Sequence, residues 1–171
     1  MAITRLITLE DAPVLAKVLA ENRDFLAPWD PIREDSFFTE ETQHKLLQQS
    51  LASHDAGTMV PLAITDADGG LVGRINIGSI VRGALESGGI GYWVRQTHNG
   101  RGLASAAVAE VKEIAFRELG LHRLQAETLL HNTASQRVLE RNGFESYGMA
   151  PRYLKIAGHW QDHVMFQVLA D

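Results

Sequence analysis

The residues best suited to hold a charged ligand lie in one stretch, Tyr92-Trp93-Val94-Arg95-Gln96-Thr97-His98-Asn99-Gly100-Arg101-Gly102-Leu103-Ala104-Ser105. An apolar strand runs into a turn with glycines two apart, and a helix opens directly after it. A helix N-terminus leaves backbone N–H groups free and carries a partial positive charge. Glycine lets the backbone approach an anion closely and adopt positive φ. Together these features suit a phosphate or pyrophosphate. The stretch is not a P-loop, because no Lys-Ser or Lys-Thr pair follows Gly102. Nor is it a dinucleotide fingerprint, which needs a third glycine where Ser105 stands. The plain alternative is a strand–turn–helix corner with ordinary turn glycines.

A second group follows. Asn132 and Ser135 are three residues apart at a helix start, so both face the same side. Asn132 also reads as an N-cap, with Ser135 in the first turn. Glu127 sits on the strand that precedes them. His159 and His163 are four apart with Asp162 between, but a third metal ligand is missing. A hydrogen-bonded Asp162–His163 pair fits better, and no metal site is expected.

These residues need elements to position them. Ile3 to Thr8 alternates like a strand. Thr8, Asp11 and Pro13 open a helix whose stripe is Val14, Leu15, Val18 and Leu19. Phe25 to Pro31 reads as irregular, broken by Pro28 and Pro31. A helix from about Thr39 turns Leu46, Leu47 and Leu51 inward. Met59 to Thr65 and Leu71 to Val81 form a hairpin across Asp66-Ala67-Asp68-Gly69-Gly70. Gly83 to Gly89 is a loop, and Ile90 to Val94 a strand. The period then changes to 3.6, with Leu103, Ala107, Val111, Ile114 and Ala115 on one helix face up to Gly120. Leu121 to Leu130 is a strand, Thr133 to Asn142 a helix, and Phe144 to Met149 and Trp160 to Leu169 are terminal strands. The order β-α-α-β-β-β-α-β-α-β-β is mixed α/β in one domain, residues 1–171.

Composition bounds the rest. The 171 residues include 45% hydrophobic and 22% charged, which is globular, and 171 residues suit one domain. With no cysteine, disulfides, thiolate metal sites and a Cys acyl-enzyme are excluded. A net charge of -5 argues against bulk nucleic-acid binding. No apolar run approaches the roughly 20 residues of a membrane span, and the first residues do not read as a signal peptide. A cytoplasmic protein is expected.

The Gly100-Arg101-Gly102-Leu103-Ala104 segment resembles the acetyl-CoA pyrophosphate loop of the GNAT N-acetyltransferase superfamily, usually Gln/Arg-x-x-Gly-x-Gly/Ala. Thr97 stands at the first position here, with Gln96 displaced by one. His131-Asn132-Thr133-Ala134-Ser135 and Val138-Leu139-Glu140-Arg141-Asn142-Gly143-Phe144 resemble the downstream family blocks. Flanks such as Ala20 to Arg33, Val81-Arg82-Gly83 and Tyr153 to His163 are similar to the RimJ/RimL branch, in particular its RimJ-type ribosomal-protein-alanine N-acetyltransferases.

That resemblance implies a GNAT fold: a mixed, mostly antiparallel sheet flanked by helices, with splayed central strands. It implies direct acetyl transfer from acetyl-CoA to an amine. The cofactor-binding residues would be Trp93, Val94, Arg95, Asn99, Gly100, Arg101, Gly102, Leu103, Ala104, Ser105, Asn132 and Ser135. A backbone N–H near Trp93-Val94-Arg95 would polarise the thioester carbonyl. Ser135 would stand against the CoA sulfur, or serve only in the helix start. Glu127 is a candidate base, or a solvent-facing or salt-bridged carboxylate. Some relatives carry an acid where this chain has Gly89 or Arg152, so a water chain is the other route. Phe25, Trp29, Arg33, Tyr92 and Tyr153 would wall the acceptor groove, with Trp29 alternatively a core plug. The acceptor implied is a protein N-terminus, foremost that of a ribosomal protein, for a monomer or homodimer. A small-molecule amine, or a CoA-binding ribosome-associated module with little catalysis, are the competing readings.

Overall fold

The computed structural model describes residues 2–171. Seven strands form one sheet: β1 (Thr4–Leu6), β2 (Val60–Thr65), β3 (Leu71–Val81), β4 (Ser87–Val94), β5 (Arg123–Leu129), β6 (Glu145–Ile156) and β7 (His159–Leu169), in spatial order β1-β2-β3-β4-β5-β7-β6. Every neighbouring pair is antiparallel except β4–β5. Helices α1 (Ala12–Glu21), α2 (Arg23–Leu26) and α3 (Glu40–Asp55) come before β2; α4 (Leu103–Glu113) and α5 (Thr133–Arg141) flank β5 in the chain. This is the α/β order expected from the hydrophobic periods.

Strand alternation sends side chains to two cores. On one face Leu62, Ile64, Ile75, Ile77, Leu124 and Phe166 pack with Ala107, Val108 and Val111 of α4 and Leu139 of α5. On the other, Ala63 and Leu71 pack with Leu15 and Leu19 of α1 and Leu47 of α3. Asp11 makes a bidentate pair with Arg5 at 2.7 and 2.8 Å and accepts the Thr8 N–H at 2.8 Å, fixing the entry to α1. The Glu110 carboxylate on α4 accepts the N–H groups of Ile3 and Thr4 at 2.8 and 2.9 Å, tying down the short edge strand β1.

Four local expectations change. Phe25 to Pro31 is not irregular throughout: α2 runs into a 3-10 turn, Ala27–Trp29. Pro28 lies in the first turn there, where its missing N–H costs nothing. The loop before β4 is shorter than Gly83 to Gly89, because pairing begins at Ser87. The long helix leaves α geometry at Glu113 and ends in a π turn, Ile114–Glu118, before Gly120 at φ +64°. The penultimate strand continues past Met149 to Ile156. Pro151 is tolerated because β6 is the sheet edge and bulges between Ala150 and Leu154.

The registers place β4. Gly73 of β3 faces Val94, and a Cβ at Gly73 would stand 2.3 Å from the Trp93 carbonyl oxygen. That oxygen is backbone and has no rotamer to escape into. Gly73→Ala should therefore destabilise the fold by about 1–3 kcal/mol, read as a lower thermal midpoint. The mirror control Gly91→Ala, where nothing lies within 4 Å of the added Cβ, should cost less.

Candidate active site

The glycine turn has the geometry its sequence requires. Gly100 and Gly102 both have positive φ, +75° and +79°, and Gly102 caps α4 from the left-handed region. The first helical hydrogen bond runs from the Ala106 N–H to the Gly102 carbonyl, 3.0 Å. The N–H groups of Leu103, Ala104 and Ser105 therefore point out of the helix N-terminus. Arg101 is exposed beside them. Arg95 behaves differently: its guanidinium is held by Glu21 at 3.0 Å. The turn is also anchored from a distance. Asn22, 5% exposed, accepts the Gln96 N–H at 2.9 Å and donates to the Val18 carbonyl at 2.8 Å. Its place in the chain gives no sign of this, because the partner lies 74 positions away.

Beside this turn the sheet opens. β4 and β5 pair at only three positions, Ser87 with Arg123, Gly88 with Leu124 and Gly89 with Gln125, and then part. Direct bonding of Arg95 N–H to the Val72 carbonyl, 2.8 Å, fixes which β4 groups face β3. Alternation then turns the N–H groups of Tyr92 and Val94 away from β3 and into the gap. Of Trp93, Val94 and Arg95, where the polarising N–H is expected, only Val94 turns its N–H into the gap, as Tyr92 does; those of Trp93 and Arg95 face β3. Trp93 instead sends its side chain to the α1–α3 face.

A cavity of about 180 Å³ occupies the gap. Tyr92 of β4, Glu127 of β5, Asn132 just before α5, Ser135 of α5 and His163 of β7 all line it, and Trp29 forms part of its wall. The Tyr92 hydroxyl meets the Ser135 Oγ at 2.8 Å, spanning the gap from strand to helix. Burial pushes the Tyr92 phenol up to about 12, against the opposing effect of the Ser135 bond. The phenol is therefore a neutral proton donor at physiological pH. Asn132 Oδ1 accepts the Ser135 N–H at 3.2 Å, so Asn132 is the N-cap while Ser135 Oγ points to Tyr92. Burial raises the Glu127 carboxyl above the ordinary glutamate range, with His163 pulling the other way. A carboxylate so placed is a better proton acceptor than a solvated one.

His163 is 3% exposed, and its Nδ1 lies 2.9 Å from the Gln161 carbonyl. Only a protonated Nδ1 can bond a carbonyl, which leaves Nε2 as the free nitrogen. The expected Asp162–His163 pair does not form. Adjacent strand residues face opposite sides, and Asp162 accepts the Arg152 N–H at 2.8 Å instead. Among the described residues no group of three His, Asp, Glu or Cys could hold a metal ion.

The other four groove residues are placed differently from one another. Trp29 is 38% exposed and stacks 5.3 Å from His131, so it is no core plug; it roofs the gap from the α2 side. It also lines, with Tyr92, a larger cavity of about 600 Å³ under α3, whose walls include Arg33, Arg74 and Trp93. Arg33 is bound to Asp30 at 2.8 and 3.2 Å and lies over the Phe37 ring. Tyr153 stands edge-on to the His163 ring, 5.6 Å between centroids, and the Glu127 charge and burial raise its hydroxyl. Phe25 is half-buried and lines neither cavity.

Comparison with known proteins follows the same lines. Residues 3–145 match the family model described as the acetyltransferase (GNAT) domain. The chain is 36% identical to "Probable N-acetyltransferase YjcK" of Bacillus subtilis over 96% of its own length and 92% of that protein. It is 34% identical to the ribosomal protein uS5-alanine N-acetyltransferase of Escherichia coli, covering 95% and 84%. Among solved structures, Mycobacterium smegmatis RimJ in complex with CoA-disulfide superposes with a TM-score of 0.94 at 32% identity, covering 98% of this chain and 81% of that one.

The three tyrosines allow a direct check on the gap. In an alkaline absorbance titration one phenol should ionise only at about 12, and Tyr92→Phe should remove that last step while leaving the earlier ones.

Proposed function

This chain belongs to the GNAT acetyltransferase family, and we propose that it acetylates the N-terminal α-amine of a protein, with a ribosomal protein beginning in alanine as the acceptor. It is an N-acetyltransferase. The observation that carries the finer reading is the gap itself. An outward N–H of Tyr92, a hydroxyl pair and a half-buried carboxylate share one chamber of about 180 Å³.

Acetyl-CoA is the donor in this reading. Its pyrophosphate lies on the turn from Asn99 to Ser105, held by the N–H groups at the start of α4, with Arg101 beside it. Asn132 and Ser135 flank the arm that enters between β4 and β5. The amine nitrogen attacks the thioester carbonyl, and the oxygen gains negative charge facing the Val94 or Tyr92 N–H. The C–S bond breaks. The amine proton goes to Glu127, directly or through water, and the thiolate takes its proton from the Ser135–Tyr92 pair. Two catalytic groups suffice because an α-amine has a pKa near 8, against about 10.4 for a lysine side chain. Trp29 and Tyr153 border the acceptor's path. The reading puts the reaction in the cytoplasm. For the described residues, the structure adds that no helix is long and apolar enough to cross a membrane.

Incubation with acetyl-CoA and a panel of peptides and small amines tests this. An alanine-starting peptide should gain one acetyl group on its α-amine. Turnover of polyamines or aminoglycosides alone would replace the protein acceptor with a small one. Donor binding without turnover on any amine would leave a CoA-binding module. Glu127→Gln should lower kcat by about 10²–10⁴-fold. Because the Glu127 carboxyl is raised and must be ionised to accept a proton, wild-type kcat/KM should rise with pH through a limb above the ordinary glutamate value. That limb should vanish in Glu127→Gln, while the limb of the amine itself, near 8, remains in both.

A further inference from the structure

The larger cavity holds a charge that the protein leaves unanswered. Two arginines and one carboxylate line it: Arg33, Arg74 and Asp30. Arg33 and Asp30 form a two-point pair with each other. Arg74 has one hydrogen bond, from Nη2 to the Asn76 Oδ1 at 3.1 Å. Its Nε is removed from water and has no partner among the described residues. Asp11 is the carboxylate whose field reaches Arg74, yet both its oxygens are committed to Arg5 and to the Thr8 N–H. Burial disfavours the Arg74 cation, but a guanidinium does not give up its proton in a protein. The molecule therefore carries a largely buried planar cation with donors to spare, facing a cavity big enough for a short peptide end or a small molecule. A carboxylate is the ligand such a fork fits.

The position of Arg74 relates it to the chemistry. It is directly opposite Trp93 on β4, one residue from Val94, whose N–H enters the gap. Tyr92 and Trp29 line both cavities, so the two chambers share a wall. An acceptor with its amine in the smaller chamber can extend past Tyr92 and Trp29 into the larger.

We propose that Arg74 is a specificity-determining residue which binds a carboxylate on the acceptor, so that the preferred substrates are amines carrying an acidic group. This rests on the acetyltransferase reading above. The carboxylate can come from an Asp or Glu side chain close behind a peptide N-terminus, or from the α-carboxylate of a free amino acid or dipeptide.

The test uses the full chain loaded with CoA. Alanine-starting peptides with Glu at the second, third or fourth position are compared with their Gln counterparts, and with free dipeptides against dipeptide amides. Binding is measured by calorimetry, and kcat and KM separately with acetyl-CoA. Wild type should prefer one acidic series by about 10-fold or more, and the series that responds identifies the source of the carboxylate. Arg74→Gln should abolish that preference through KM, leaving kcat and the acetyl-CoA KM within about twofold. Arg74→Lys should restore part of it, since charge returns without the fork. Equal losses for acidic and neutral acceptors in Arg74→Gln would mark a merely structural arginine and overturn the proposal. So would a wild type indifferent to the acid, or one that binds no member of either series. Turnover failing on every amine while the acidic preference in binding persists would overturn the acetyltransferase reading and leave the carboxylate site standing.

Discussion

Three rungs of parallel pairing between β4 and β5 govern the rest of this molecule. A parallel sheet interior normally satisfies every backbone donor and acceptor, because burying one without a partner costs on the order of 1–3 kcal/mol. Here the two strands separate after Gly89, and the main-chain groups of β4 beyond that point face a cavity. The half-sheets on either side are complete. β1 to β4 form one antiparallel set and β5, β7 and β6 another. The opening is thus confined to one seam, and both chambers, the cap of α4 and the cap of α5 are disposed around it.

Polar groups at this seam are tied across it in a way that ordinary packing would not supply. The Tyr92–Ser135 bond joins β4 to α5. Asn22 joins the end of α1 to the turn that begins the glycine loop. Trp29 reaches His131 over the mouth, and the Ala157 N–H meets the Asp30 carbonyl at 2.9 Å, so the segment bearing Trp29 is clasped to the β6–β7 turn. Each link connects elements that belong to different halves or layers. Together they hold the width of the gap that three rungs alone would leave loose.

Much of this was legible in the residues. The strand–turn–helix stretch announced itself by two glycines and a change of period, and Asn132 by its place before a short amphipathic helix. The order of elements followed from periodicity because both cores are built from regular alternation. What stayed hidden was long-range. The Asn22 contact spans 74 positions and the Tyr92 bond 43, and neither leaves a local pattern. The Asp162–His163 pair failed because two neighbours on a strand cannot share a side. The continuation of β6 past Met149 was hidden too, because it depends on pairing with β7 across a bulge and on an edge position that tolerates Pro151. No local pattern in the strand marks out Arg74; the cavity beneath α3 distinguishes it.

The outward N–H groups of Tyr92 and Val94 belong to the main chain. No side-chain replacement deletes them, save proline, so the capacity to meet a developing negative charge is inherited with the shape of the strand. Residues around the mouth can drift and change the guest without touching that capacity. The lineage of such a fold can therefore explore new acceptors at little risk, because its most general chemical tool is written in backbone geometry and only its tastes are written in side chains.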